Sequence, residues 1–277
     1  MIKNYIVQLQ GSEAQIKWGK SIRKNKLLQI ALLPDTQRPD DIVYRQVWLR
    51  AIPHAYYWIQ HRNEQPLDLL NSLDMKPHFH KRVRFQTPGD TLEWAHTLKN
   101  FVVLDTETSG LDEISEIVEL SVINGNGDVL IDTLIRPHNP IPEQATAIHG
   151  ITNDMVSTAP TFTQVWPLLY PLLCLYKVVV YNAPYDMSII KRLSLSERYT
   201  SKNIYADCAM RAYASYFQEP GVYENSFRWH KLEVACEHLG IIVDGVSHRS
   251  LTDCKSTLAV IRRLRELYDN RLVEIGA

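Results

Sequence analysis

The chain has 277 residues, 45% hydrophobic and 22% charged, which is the composition of a folded globular protein and excludes a disordered or low-complexity one. Its net charge of −1 hides an asymmetry: residues 1–97 hold 14 Lys+Arg against 9 Asp+Glu, the remainder 16 against 22, so a basic front meets an acidic back and two units with different tasks are expected. The longest apolar stretch, Val165 to Tyr181, is interrupted by Pro167, Pro171 and Lys177 and falls short of the ~20 apolar residues of a membrane span, so no membrane partner is expected.

In chain order, Met1-Ile2-Lys3-Asn4-Tyr5 lacks the apolar core of a signal peptide, which makes a cytoplasmic location the expectation. Apolar-rich stretches from Tyr5 to Leu9 and from Leu27 to Leu33 read as strands, with the basic residues Lys17, Lys20, Arg23, Lys24 and Lys26 between them. From Asp40 to about Gln60 the pattern is helical, with Asp40 or Asp41 as N-cap, Ile42, Val43, Val47 and Leu49 as apolar positions and Pro53 as a kink or stop. A second basic cluster, Lys81, Arg82 and Arg84, precedes the turn signal Pro88-Gly89-Asp90, where the linker is placed. This divides the chain into a basic, aromatic-rich α+β domain over residues 1–90 and a second domain over 98–277.

The second domain opens with apolar runs at Phe101 to Leu104, Ile117 to Ile123 and Val129 to Ile135, the last two joined by the hairpin signal Asn124-Gly125-Asn126-Gly127-Asp128. Lys177-Val178-Val179-Val180-Tyr181 is a β-branched run that fits a buried strand. Helical patterns precede it and then dominate at Met187 to Leu193, Lys231 to Leu239 and about Leu251 to Tyr268. A hairpin joined to strands that alternate with helices makes an α/β domain with a mixed sheet. Cys174, Cys208, Cys236 and Cys254 have no C-x-x-C spacing and read as buried thiols.

Three stretches carry chemistry. Asp105 and Glu107, two apart at the end of an apolar strand, leave one face together. Such neighbours repel unless something positive lies between them, and hard divalent cations take oxygen ligands of this kind. Asp186 follows the Val178–Tyr181 run at the start of a helix, where it is either a plain helix cap or part of a site. His248 and Asp253 open the last helix; five helical residues turn a side chain by ~140°, so the two face one site only if His248 lies on the preceding loop, for which Gly245 provides.

In this order, Asp and Glu on a first strand, Asp after a later strand and His-x4-Asp at a last helix resemble the DEDDh family of DnaQ-like 3′→5′ exonucleases, which includes proofreading subunits and ribonuclease T. The resemblance covers about residues 98–270. It extends to Ala147-Ile148-His149-Gly150-Ile151-Thr152, to the Pro160-Thr161-Phe162 to Leu173 helix and to Lys231-Leu232. The resemblance implies a ribonuclease H-like, mixed five-stranded sheet flanked by helices. It also implies two Mg²⁺ or Mn²⁺ ions on Asp105, Glu107, Asp186 and Asp253, with His248 as general base. Thr108 and Leu111 would lie against the terminal nucleotide, His149 near the substrate cleft, and Asn182 on the substrate side. Tyr181 stands where the family usually has His and Tyr185 where it usually has Phe; both departures are expected to alter substrate fit more than activity.

Phosphodiester hydrolysis requires a deprotonated water and a stabilised leaving oxygen, which a two-metal site provides. An imidazole titrates close to working pH, suiting it to take that proton. Zinc hydrolysis lacks a histidine cluster here and serine hydrolysis lacks a nucleophile elbow. The resemblance further implies single-stranded 3′ ends of DNA or RNA as substrate and nucleoside 5′-monophosphates as product.

The front segment holds Trp18, Trp48, Trp58 and Trp94 with Tyr44, Tyr56 and Tyr57 among its basic residues. These form either a single-strand platform or a small core with a solvated basic face. Two roles remain open for it, gripping substrate and docking a polymerase or repair protein, beside the reading of the whole chain as a non-catalytic nucleic-acid binder. His78 and His80 have metal-like spacing but no further partners.

Overall fold

The computed structural model describes residues 9, 11–34, 36, 42–52, 55–73, 83–196, 204–223, 225–242, 245 and 248–274. The stretch Tyr5 to Leu9 apart from Leu9, the caps Asp40 and Asp41, and Pro53, His78, His80, Lys81 and Arg82 lie outside the described residues. The chain divides into two compact units, Met1–His78 with Pro167–Leu175, and Phe79–Trp166 with Tyr176–Ala277.

The first unit contains α1 (Glu13–Ala31), α2 (Ile42–Ala51), α3 (Ala55–Gln60) and α4 (Pro66–Ser72). A capping box starts α1: Ser12 Oγ accepts the Gln15 N–H while the Gln15 side chain accepts the Ser12 N–H. Once started, the helix continues through Leu27 to Ala31, so the strand expected from Leu27 to Leu33 is a helix end. Its apolar run is one stretch of a longer helix whose signal lies fifteen residues upstream, and the α+β domain expected here is helical among the described residues.

Gly19 lets α1 approach α3 closely, since a Cβ there would come within 3.0 Å of Ala55 Cβ. Ile30, Trp48, Leu49, Trp58, Leu69 and Leu70 form the interior, and Trp48 packs at 5.7 Å on the Tyr170 ring. Part of the basic stretch points inward: Arg23 and Lys26 are buried, and Lys26 Nζ donates to the Glu64 carbonyl. Of the four front tryptophans Trp18 alone is exposed, with the Arg62 guanidinium 5.7 Å from its ring.

The second unit begins with α5 (Pro88–Thr97), so the Pro88-Gly89-Asp90 signal is a helix start and not a turn. Proline suits the first helical position, where its missing N–H is not needed, and Thr87 with Asp90 closes a second capping box. Thr91 Oγ1 donates to the Ala212 carbonyl, and Arg265 donates to the carbonyls of Ala95 and Leu98.

There follow β1 (Phe101–Thr108), β2 (Ile117–Asn124), β3 (Val129–Leu134), α6 (Glu143–His149), α7 (Asn153–Val156), α8 (Phe162–Leu175, whose Pro167–Leu175 part belongs to the first unit), β4 (Lys177–Val180) and α9 (Ala183–Leu193). The unit ends with β5 (Ala206–Cys208), α10 (Ala209–Phe217), α11 (Leu232–His238) and α12 (Ser250–Glu274). The sheet order is β3-β2-β1-β4-β5, antiparallel on the β2–β3 side of β1 and parallel on the β4–β5 side. This is the mixed five-stranded ribonuclease H-like sheet expected. The β2–β3 hairpin turns where expected: Asn124 Oδ1 accepts the N–H groups of Asn126 and Asp128, and Gly127 takes φ +98. All four cysteines are free and buried, and no described helix is long and apolar enough to cross a membrane.

Candidate active site

Alternation along β1 puts Asp105 and Glu107 on one face, opposite Ser121 and Glu119 of β2. Helix α12 packs against β1 and β2. Cys254 Sγ lies 3.4 Å from the Ser121 carbonyl and Ser250 Oγ is 2.7 Å from Ser121 Oγ. That docking brings Asp253, in the first turn of α12, to the β1 acids: carboxylate oxygens of Asp105, Glu107 and Asp253 lie within 4.8 Å of one another.

The fourth acid arrives from the other side. Parallel pairing of β1 with β4 stops at Leu104–Val180, and beyond it the Thr106 N–H donates to Asp186 Oδ1 at 3.2 Å and the Thr106 hydroxyl at 2.7 Å. Asp186 is thus held on the strand that carries Asp105 and Glu107, although it is outside the 4.8 Å group.

His248 precedes α12 with φ +59, a left-handed conformation that costs a β-substituted residue energy. Gly245 at φ +130 is part of the same loop, and a Cβ there would meet Thr252 Oγ1 at 2.7 Å. His248 is therefore off the helix, the condition under which it and Asp253 face one place; its ring is half-exposed, with Nε2 3.7 Å from Glu233 Oε1.

The electrostatics are those of an overcrowded anion cluster. Burial, followed by the charges of Asp186, Asp253, Glu107 and Glu119, holds Asp105 well above the usual carboxylate range. Glu107 is pushed up to about 8 by burial and by Asp253, Glu119 and Asp186, against the pull of Arg249. Burial raises Asp186 to about 6 despite its bonds from Thr106. It also raises Asp253 to about 6 despite the His248 charge. Asp105 and Glu107 so placed keep protons at neutral pH unless a cation replaces them, while Asp186 and Asp253 lose theirs just below it. A hard oxygen donor set of this charge and spacing fits a divalent ion.

The softer assignments scatter. Thr108 Oγ1 lies 2.7 Å from Tyr185 Oη and 2.9 Å from the Gly110 carbonyl, which Tyr185 also reaches at 2.6 Å. The hydroxyl that distinguishes Tyr185 from Phe thus ties down the loop after β1. At the tip of that loop Leu111 is 87% exposed. His149 is buried; its Nδ1 accepts the Ile151 N–H at 3.0 Å, which puts the proton on Nε2. Asn182 is the exposed N-cap residue of α9. Tyr181 turns inward and donates to the His230 carbonyl at 2.9 Å.

Sequence reasoning missed Glu119 and Arg249. Buried Glu119 accepts a forked pair of bonds from Arg249 and the Ser250 N–H at 2.9 Å, so it fastens the head of α12 to β2. A lone acid inside the apolar run Ile117-Val118-Glu119-Leu120 was the available signal.

A family model described as exonuclease matches residues 102–261, and the uncharacterized exonuclease CP81 of Escherichia phage 186 is 40% identical over 176 residues, 59% of this chain and 87% of that protein. The chain belongs to the RNase_T exonuclease family. It is also 33% identical over 202 residues to a DNA polymerase III subunit epsilon-like protein of Rhodobacter capsulatus, covering 69% of this chain but only 26% of that longer protein. Among solved structures, exonuclease X in complex with 5′ overhanging duplex DNA is 25% identical, with a TM-score of 0.42, over 60% of this chain and 92% of that one. The span matched by the family model, residues 102–261, contains Asp105 and Glu107 of β1, Asp186 of α9 and Asp253 of α12.

Proposed function

We propose that this exonuclease hydrolyses DNA or RNA from single-stranded 3′ ends to nucleoside 5′-monophosphates, with two Mg²⁺ or Mn²⁺ ions on Asp105, Glu107, Asp186 and Asp253. The observation that carries the reading is the convergence of the Asp105, Glu107 and Asp253 carboxylates within 4.8 Å, with Asp186 fastened to the same strand through Thr106. Bound divalent ions would acidify the attacking water and offset charge on the leaving oxygen. His248, half-exposed on the loop before α12, would be the group to accept the proton of the attacking water through its imidazole. Glu233, 3.7 Å from His248 Nε2, steadies the imidazolium that results. Exposed Leu111 offers an apolar face for the terminal base, on a loop that Tyr185 holds through Gly110. The first unit adds grip on the strand through Trp18 and Arg62, or docks a polymerase or repair protein; the exposed Trp18–Arg62 pair favours grip.

The test is digestion of single- and double-stranded DNA and RNA labelled at either end. With Mg²⁺ or Mn²⁺, label at the 3′ end leaves first, as nucleoside 5′-monophosphate, and EDTA stops the reaction. Release from the 5′ end, or turnover that survives chelation, would contradict the proposal.

A further inference from the structure

The second unit holds a cavity of about 980 Å³ beside the acid cluster, not within it. Pro184, Met187 and Lys191 of α9 line one side, and Tyr205 and Cys208, next to and on β5, another. Helix α9 thus serves two sites: Asp186 faces β1, while Pro184, Met187 and Lys191, at helical spacing, face the cavity. Cys208 pairs in register with Val180, and Val180 with Leu104. Two strand spacings, about 10 Å, therefore separate the cavity wall from the residue before Asp105.

The charge of the lining is one-sided. Arg84, Lys191 and Arg211 contribute three cations, and the acid among them, Asp207, is already engaged by Lys177 Nζ at 3.2 Å and by Trp94 Nε1 at 2.8 Å. Aromatic faces stand beside these cations: Lys191 Nζ lies 5.0 Å from the centre of the Tyr205 ring and the Arg211 guanidinium 5.3 Å from that of Trp229. Both rings are about half-exposed, Tyr205 at 46% and Trp229 at 57%, and the Arg84 and Arg211 side chains are exposed. Cations that hold phosphates, interleaved with rings on which bases stack, are the chemistry of single-strand binding.

Building on the exonuclease reading, we infer that this groove binds the substrate strand on the 5′ side of the terminal nucleotide, with phosphates on Arg84 and Arg211 and bases against Tyr205 or Trp229. Arg84 then belongs to substrate recognition in the second unit. The occupant is a phosphodiester strand because its phosphates suit the lining cations Arg84, Lys191 and Arg211, and its bases suit the rings of Tyr205 in the lining and of Trp229 beside Arg211.

The test compares full-length wild type with Arg84→Gln/Arg211→Gln on two substrates, a single-stranded 12-mer and the p-nitrophenyl ester of a nucleoside 5′-monophosphate, which is too short to enter the groove. The ratio of kcat/KM for 12-mer to ester should fall at least ten-fold, through KM. The salt slope of strand affinity should become shallower by about 0.7 for each phosphate that is no longer neutralised. Fluorescence anisotropy of a labelled 12-mer measures the groove without turnover: at least ten-fold weaker binding supports it. Equal affinity and equal salt slope overturn it, leaving a protein as the better occupant. If wild type hydrolyses neither substrate, the exonuclease reading fails while anisotropy still tests the groove. If the double variant loses ester turnover, Arg84→Gln alone decides.

Discussion

Asp105, Glu107, Asp186 and Asp253 each titrate above the ordinary carboxylate range, and the shared physical reason is burial among like charges. A carboxyl with a raised folded-state value binds its proton more tightly folded than unfolded. Its contribution to stability is therefore complete below its unfolded value of about 4 and is lost as pH rises through the folded value. For the metal-free protein the loss therefore begins at about pH 4, is complete by about 6 for Asp186 and Asp253, and continues to about 8 for Glu107. Thermal unfolding in EDTA should show Tm falling across this range, with Glu107→Gln flattening the upper part and saturating Mg²⁺ removing most of the drop. A Tm that rises over the same interval would mean that the acids are not crowded in solution. Kinetically, Asp105→Ala should abolish turnover, while His248→Ala should lower kcat by about 10²–10⁴ and leave Mn²⁺ affinity nearly intact. An equal loss of metal binding in both variants would assign His248 to metal binding instead of proton transfer.

At the level of elements, the position of α12 decides whether the site exists. Glu119 is buried at 5% side-chain exposure and forked to Arg249, while its other bond holds the Ser250 N–H at the start of the helix. Arg249→Met leaves that carboxylate buried without its cation. The expected destabilisation lies near the lower end of about 3–5 kcal/mol, because Arg249 itself is 37% exposed. Urea unfolding measures it, and Glu119→Gln in the same chain should recover part of the loss. Arg249→Lys should fail to restore kcat, since a point charge cannot reproduce the fork.

The elements also show which signals a sequence carries. Val178-Val179-Val180 and the Asn-Gly-Asn-Gly turn are local statements and legible as such. The three residues of β5 are too few for any period to show, and the run from Leu27 to Leu33 mimics a strand because the capping box that makes it helix lies at Ser12 and Gln15. Asp105, Glu107, Asp186, His248 and Asp253 stand out only as a set, through a chain order that resembles the family. The tie from Glu119 to Arg249 cannot be read from sequence, since it joins residues 130 apart.

Across the whole molecule, the first compact unit is discontinuous, built from Met1–His78 with Pro167–Leu175. A cut after residue 78 therefore removes Trp48 from Tyr170 and strips part of a core that includes Leu169 and Leu172. Residues 79–277 expressed alone should show a lower Tm than the full chain and concentration-dependent association; an unchanged Tm would mean that Pro167–Leu175 needs no partner from the front segment. The acidic excess of residues 98–277 acquires a purpose at this scale, because two divalent ions would cancel most of it before a polyanion arrives. Acids from β1, α9 and α12 are proposed to hold those ions jointly. The most direct test of this central proposal is Mn²⁺ titration, followed by electron paramagnetic resonance, of wild type and Asp105→Asn with a nucleoside 5′-monophosphate present. Two ions per wild-type chain and none held tightly by the variant are predicted; a wild type that binds no Mn²⁺, or a variant that binds it equally well, would contradict the account.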